Sequence, residues 1–228
     1  MNTWFPYVRV LHIVCGMIAL FVAPAAMLTV KGGLAHRRWG KIYFWMMAAV
    51  AITAMVMAIY RPIIFLALVA IFSFYFAFRG YRNIVRKREG PEQMDWIAAL
   101  VTLTGSLGLV VLGIHPLAGG FLPAPAVSIA FGLTGLTIAI IDILKFVRPP
   151  LDPKAWWYGH MGGMLGSYVA AVSAFSAVNF QFLPTVVRWL WPSAVGVPGI
   201  LIWIALYRRK FNRPTKPVNL PAGKEVSI

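Results

Sequence analysis

His12, His36, His115 and His160 are the residues of this chain best suited to hold a metal, because neutral imidazole is a good ligand for iron, zinc and copper. His160 lies in WWYGHMGGMLGSY, residues 156–168, where an aromatic cluster gives way to Gly162, Gly163, Gly166 and two methionines. The steps Gly159 to Gly163 and Gly162 to Gly166 are small-xxx-small, which lets another backbone or a flat ligand come very close. Two readings of the stretch follow. It is either a tight helix contact with a histidine at its edge, or the wall of a metal or haem site.

Asp142, in IAIIDILKF, is the acidic residue expected within an apolar run, where a carboxylate is costly unless paired or protonated. Lys145, three residues on, is its nearest intrahelical partner. The alternatives are a pairing with Arg37 or Arg38, or a proton relay serving a quinone or redox partner. Cys15 stands alone, so neither a disulfide nor a thiolate metal set is expected. Ser167, Ser173 and Ser176 share the segment of His160 without a recognisable base and orienter. No Walker loop is present, and GGMLG follows no strand, so it is not a dinucleotide fingerprint. Whether the protein is an enzyme stays open, and no catalytic residue is assigned.

The elements that must position these residues are membrane helices. Of the 228 residues, 60% are hydrophobic and only 12% charged, a balance that fits a polytopic membrane protein and no soluble domain of this size. Seven spans fit, at about residues 7–30, 41–60, 62–78, 96–114, 124–146, 159–180 and 185–207. The first is too long for the apolar core of a cleaved signal peptide. Pro24, Pro192 and Pro198 fall inside spans and predict kinks. The fold class is all-α: a seven-span transmembrane bundle over residues 1–207, followed by a basic cytoplasmic tail over 208–228.

Charge sets the orientation. With the N-terminus outside and the C-terminus inside, 18 of the 21 basic residues fall on the inner side, leaving Arg9, Arg61 and Arg188 outside. The net charge of +15 is therefore a topology signal, and no nucleic-acid partner is expected. The prolines of the tail suit a segment attracted to anionic lipid.

This topology sorts the histidines into an outer pair, His12 and His115, and an inner pair, His36 and His160. Two imidazoles from two helices near each face is what a di-haem b cytochrome needs, and glycine allows a porphyrin close to the backbone. Gly16, Gly40, Gly113, Gly162 and Gly163 lie near the four histidines. Arg37, Arg38 and Lys41 inside, and Arg9 outside, are available to haem propionates. His160 and His12 are the leading ligand candidates, and His36, in HRRWGK, is the weakest, since it can equally sit in a loop as part of a basic cluster. His/Met ligation by Met161 or Met164 is an alternative, and zinc or copper lacks a carboxylate or thiolate beside either pair. The function expected is a haem-binding, b-type cytochrome-like protein in transmembrane electron transfer or haem handling. Its rival is a small-solute transporter or channel, or an accessory subunit without a cofactor, resting on Asp142 and the Pro- and Gly-interrupted segments. Neither reading names an oligomeric state.

The segments KGGLAHRRWGKIYFWMM and GHMGGMLGSYVAAVSAFSAVN, with a histidine on the first span, resemble the domain of unknown function 2306 family. The resemblance is carried by His12, His36, Arg37, Gly40, Tyr43, His160, Met161, Ser167, Tyr168, Phe175 and Asn179. It implies a multi-pass protein of the bacterial inner (plasma) membrane, and it implies no activity.

Overall fold

The computed structural model describes residues 3–116 and 122–212. Among them the chain forms seven helices and no strand: α1 Phe5–Leu28, α2 Leu34–Tyr60, α3 Ile64–Glu89, α4 Gln93–Ile114, α5 Pro125–Val147, α6 Ala155–Asn179 and α7 Thr185–Phe211. All seven are long and apolar enough to cross a bilayer, so the protein is an all-α membrane bundle. Helices α1 and α7 run on through Pro24, and through Pro192 and Pro198. The expected tail lies outside the described residues from 213 onward, while Arg208, Arg209 and Lys210 form the last turn of α7.

Three boundaries differ from the hydropathy reading in ways that matter for the site. Helix α2 begins at Leu34, which places His36 in its first turn and not in a loop. Helix α3 does not stop where its charges begin. It continues through Arg79, Arg82 and Arg86 to Glu89 and ends on Gly90, whose φ of 74° suits a residue without a Cβ. Helix α6 begins at Ala155, so the aromatic cluster before His160 is already helical. At the start of α4, Glu92 and Asp95 form a reciprocal capping box that satisfies two otherwise orphaned backbone N–H groups.

Helix α3 packs against α2, α4, α5 and α6 and so occupies the middle of the bundle. The hairpin of α1 and α2 lies on one side of it, α4 and α5 on the other, and α7 rests mainly on α6. On α1 the buried stripe is Cys15, Ala19, Ala23 and Ala26, small residues at helical spacing that let α2 approach closely. Phe65, Phe72, Phe76, Leu109, Phe131 and Trp189 fill the core between α3, α4, α5 and α7. A second cluster joins Ala19, Ala23, Tyr43, Met47 and Ala77, with Met164 and Tyr168 packed on it. Arg86, Lys87, Lys154, Arg208 and Lys210 each sit over an aromatic ring at the end of the bundle where α3 and α7 finish, here called the basic end.

Candidate functional site

The site grows from a contact between two backbones. A Cβ on Gly163 would lie 2.6 Å from the Cα of Gly80, and one on Gly80 would lie 2.8 Å from the backbone nitrogen of Met164. Only glycine permits that approach. The stripe on α6 continues in both directions, Gly159 against Asn83 and Gly166 against the Phe76 ring. The glycine stripe makes a helix contact: Gly159, Gly163 and Gly166 are covered by α3, and Gly163, expected beside a cofactor, lies against Gly80, while His160 stands at the edge of that contact. The same contact brings the Gly80 carbonyl within reach of His160, whose Nδ1 donates to it at 2.8 Å.

His36 is anchored in the same way on another pair of helices. Its Nδ1 donates to the carbonyl of Ala26 at 2.9 Å, in the last turn of α1, where helix carbonyls lack intrahelical donors. The Thr29 hydroxyl donates to the same oxygen at 2.8 Å, and the Lys31 ammonium donates to the neighbouring Met27 carbonyl. A carbonyl can only accept, so each imidazole carries its proton on Nδ1, and in the neutral ring Nε2 keeps a free lone pair. Metal-binding histidines are oriented by this kind of hydrogen bond on their other nitrogen.

The two anchored rings meet. Their centroids are 6.2 Å apart and their planes cross at 82°. A metal between two imidazoles needs about 2.0–2.1 Å per bond. Two such bonds put the ring centres about 6.3 Å apart only when both Nε2 atoms and the metal lie on one line, and the rings as they stand make an edge-on contact. Seven residues further along both helices, the Tyr43 hydroxyl donates to the Ser167 Oγ at 2.6 Å, and Ser167 donates to the Met164 carbonyl at 3.0 Å. The equal step from His36 to Tyr43 and from His160 to Ser167 means that α2 and α6 run parallel, with a tyrosine–serine bridge roughly 10 Å from the histidines. Between these levels Gly40 faces open space, and a Cβ on Gly162 would meet only Ile204 at 3.7 Å. Arg37 and Arg38 are exposed beside His36 at the basic end and make no ion pair among the described residues.

The outer histidines have no common site. His12 turns to α2, where its Nδ1 donates to the Thr53 Oγ1 at 2.9 Å and lies 3.2 Å from the Val50 carbonyl. His115 is exposed at the C-terminal cap of α4, and α1 and α4 are not neighbours. Gly113, near His115, is filled by Ile129 and Pro125 of α5. The expected pairing of outer histidines is therefore not brought together. Among the described residues, no cluster of three or more His, Cys, Asp or Glu side chains forms a metal cage.

Asp142 has a partner that sequence reasoning missed. Its carboxylate receives two hydrogen bonds from Arg79 of α3, at 2.6 and 2.7 Å, and a third from the Tyr75 hydroxyl at 3.0 Å. The pairings considered, with Lys145, Arg37 or Arg38, give way to this buried bidentate bridge between α3 and α5. One turn on, Arg82 binds Asp95 of α4 in the same fork geometry, at 2.9 and 2.6 Å, with Glu92 at 3.2 Å and Arg86 at 3.7 Å from the same cluster. The available signal was the spacing of Arg79, Arg82 and Arg86, which repeats at i, i+3 and i+7 and so keeps all three on one side of α3.

No curated protein and no solved structure matches this chain. A match to a family model spans the first three helices and the start of α4, so that it holds His12, His36, Arg37, Gly40 and Tyr43 and leaves His160 outside. Residues 9–99 are thus similar to DUF2306, a family described as a predicted membrane protein.

Proposed function

We propose that this membrane protein binds one b-type haem near its basic end, with His36 and His160 as the residues that would hold its iron, and that it serves transmembrane electron transfer or haem handling. The observation that carries the reading is the pair of imidazoles, each fixed through Nδ1 to a backbone carbonyl and set 6.2 Å apart. The donor set favours a porphyrin over a bare ion. Two imidazoles without a third ligand leave zinc or copper undercoordinated, whereas a porphyrin supplies four nitrogens itself and asks the protein for two.

The residues present suit such a group. Gly40 adds no side chain one turn from His36, and the Tyr43–Ser167 bridge lies two turns deeper on the same two helices. Arg37 and Arg38 are free to meet propionates at the surface. A bound haem would supply a one-electron couple, and the protein would set its potential through the two Nδ1 hydrogen bonds and the low polarity of the surroundings. In this reading the basic end faces the cytoplasm of a bacterial cell and the N-terminus lies outside, supported by the cations seated on aromatic rings at that end. A redox partner, a quinone or a protein, would then exchange electrons across the exposed edge at Arg37 and Arg38.

The test is a spectrum of detergent-purified protein expressed with ample haem, oxidised and then reduced with dithionite. The proposal expects a Soret band and the sharp reduced bands of six-coordinate haem b. Aromatic absorption alone rejects it and favours a cofactor-free accessory subunit or transporter.

A further inference from the structure

A second feature near the basic end points to a different ligand. Helices α6 and α7 border an apolar groove of about 260 Å³, lined by Tyr168 and Val172 on one side and by Trp191, Gly199 and Trp203 on the other. Met27, from the end of α1, closes its third wall. Along α7 the groove runs from Trp191 to Trp203, roughly 18 Å at 1.5 Å per residue, comparable with one leaflet of a hydrocarbon core about 30 Å thick. The chemistry of the lining is that of an acyl chain.

The rim nearest the basic end carries a fixed cation. The Lys31 ammonium donates to the carbonyl of Met27, itself a groove residue, and lies 5.6 Å from the ring centre of Trp203, another. It is thus tied from two walls to one end of the groove. An ammonium has three N–H donors, only one of them is used on Met27, and no carboxylate pairs with Lys31 among the described residues. A cation with free donors at the mouth of a slot the length of an acyl chain matches one kind of molecule. We infer that the groove between α6 and α7 holds one acyl chain of an anionic phospholipid whose phosphate is bound by Lys31. This site does not involve the histidines, and a protein that bound no haem would leave the inference standing.

Native mass spectrometry of the full chain, titrated in detergent with phosphatidylglycerol or phosphatidylcholine of matched chain length, tests it. The wild type is expected to retain phosphatidylglycerol about five-fold better than phosphatidylcholine, the increment expected of one cation facing a headgroup of net negative charge in place of one whose choline offsets its phosphate. Lys31→Gln removes the charge and brings the ratio to about one. Gly199→Leu fills open space, since no atom lies within 4 Å of a Cβ at that position, and lowers retention of both lipids. Unchanged preference in Lys31→Gln overturns the inference, as does recovery of a neutral prenyl lipid in place of phospholipid. Should Gly199→Leu fail to fold, the Lys31→Gln ratio decides alone.

Discussion

Two polar clusters share the basic end of this bundle and differ in how much of their hydrogen-bonding capacity is used. Around α3, Asp142 is held by two nitrogens of Arg79 and by Tyr75, and Asp95 by two nitrogens of Arg82 and by the backbone of Glu92. Those carboxylates are saturated by groups of the protein. Between α2 and α6, His36 and His160 are each bonded through Nδ1, and no described residue hydrogen-bonds their second nitrogens. Intramembrane polar residues are commonly taken as functional candidates. On the proposed reading this refines the rule: a group whose partners are complete locks helices together, and a ligand is to be sought where two groups fixed on one side and open on the other meet, as His36 and His160 do and His12 does not.

Breaking the saturated cluster is expected to have the largest effect on stability. Arg79→Leu leaves the Asp142 carboxylate buried without its partner, at a cost of about 3–5 kcal/mol. Thermal unfolding in detergent, followed by tryptophan fluorescence, will register it as a large fall in midpoint. Replacing both partners, Arg79→Leu with Asp142→Leu, is expected to recover much of that loss, because no lone charge remains. A double variant no better than the single one would mean that the bridge has a role beyond joining α3 and α5.

Gly163→Leu sharpens the comparison, because it strikes the support of the open cluster without touching a histidine. The new side chain would meet the Gly80 backbone, force α3 and α6 apart at a cost of about 3 kcal/mol and move the His160 anchor. A clear fall in midpoint is the expected outcome, with altered reduced bands where haem is bound as proposed. Tyr43→Phe is milder. It removes the bond to Ser167, whose own donation to Met164 survives, so about 1 kcal/mol is expected in the same unfolding assay. His12→Ala should change the spectrum least, since that ring faces Thr53 and Val50 of α2 and not the proposed site. A spectral loss on His12→Ala equal to that of His160→Ala would merge what the comparison separates.

How much of this was legible beforehand follows the range of each interaction. Seven apolar segments are a local property, and hydropathy alone locates them. That His36 and His160 lie at one end of the bundle followed from counting spans, since alternation puts the starts of α2 and α6 at one face. Partner choice was not legible. Asp142 has Lys145 three residues away in sequence, yet it binds Arg79, 63 residues distant, because the fork geometry across two packed helices outweighs a local contact. The end of α3 was misjudged for the same reason. Arg79 and Arg82 read as loop charges until their carboxylates on α5 and α4 are known. The glycines of α6 announced a close approach correctly, but nothing local could say that the visitor would be α3.

The most direct test of the central claim is haem content per chain in the wild type and in four single variants, His12→Ala, His36→Ala, His115→Ala and His160→Ala, purified side by side. One haem per chain in the wild type, lost in the His36 and His160 variants and kept in the other two, is the predicted result. Full haem content in both His36→Ala and His160→Ala would contradict it.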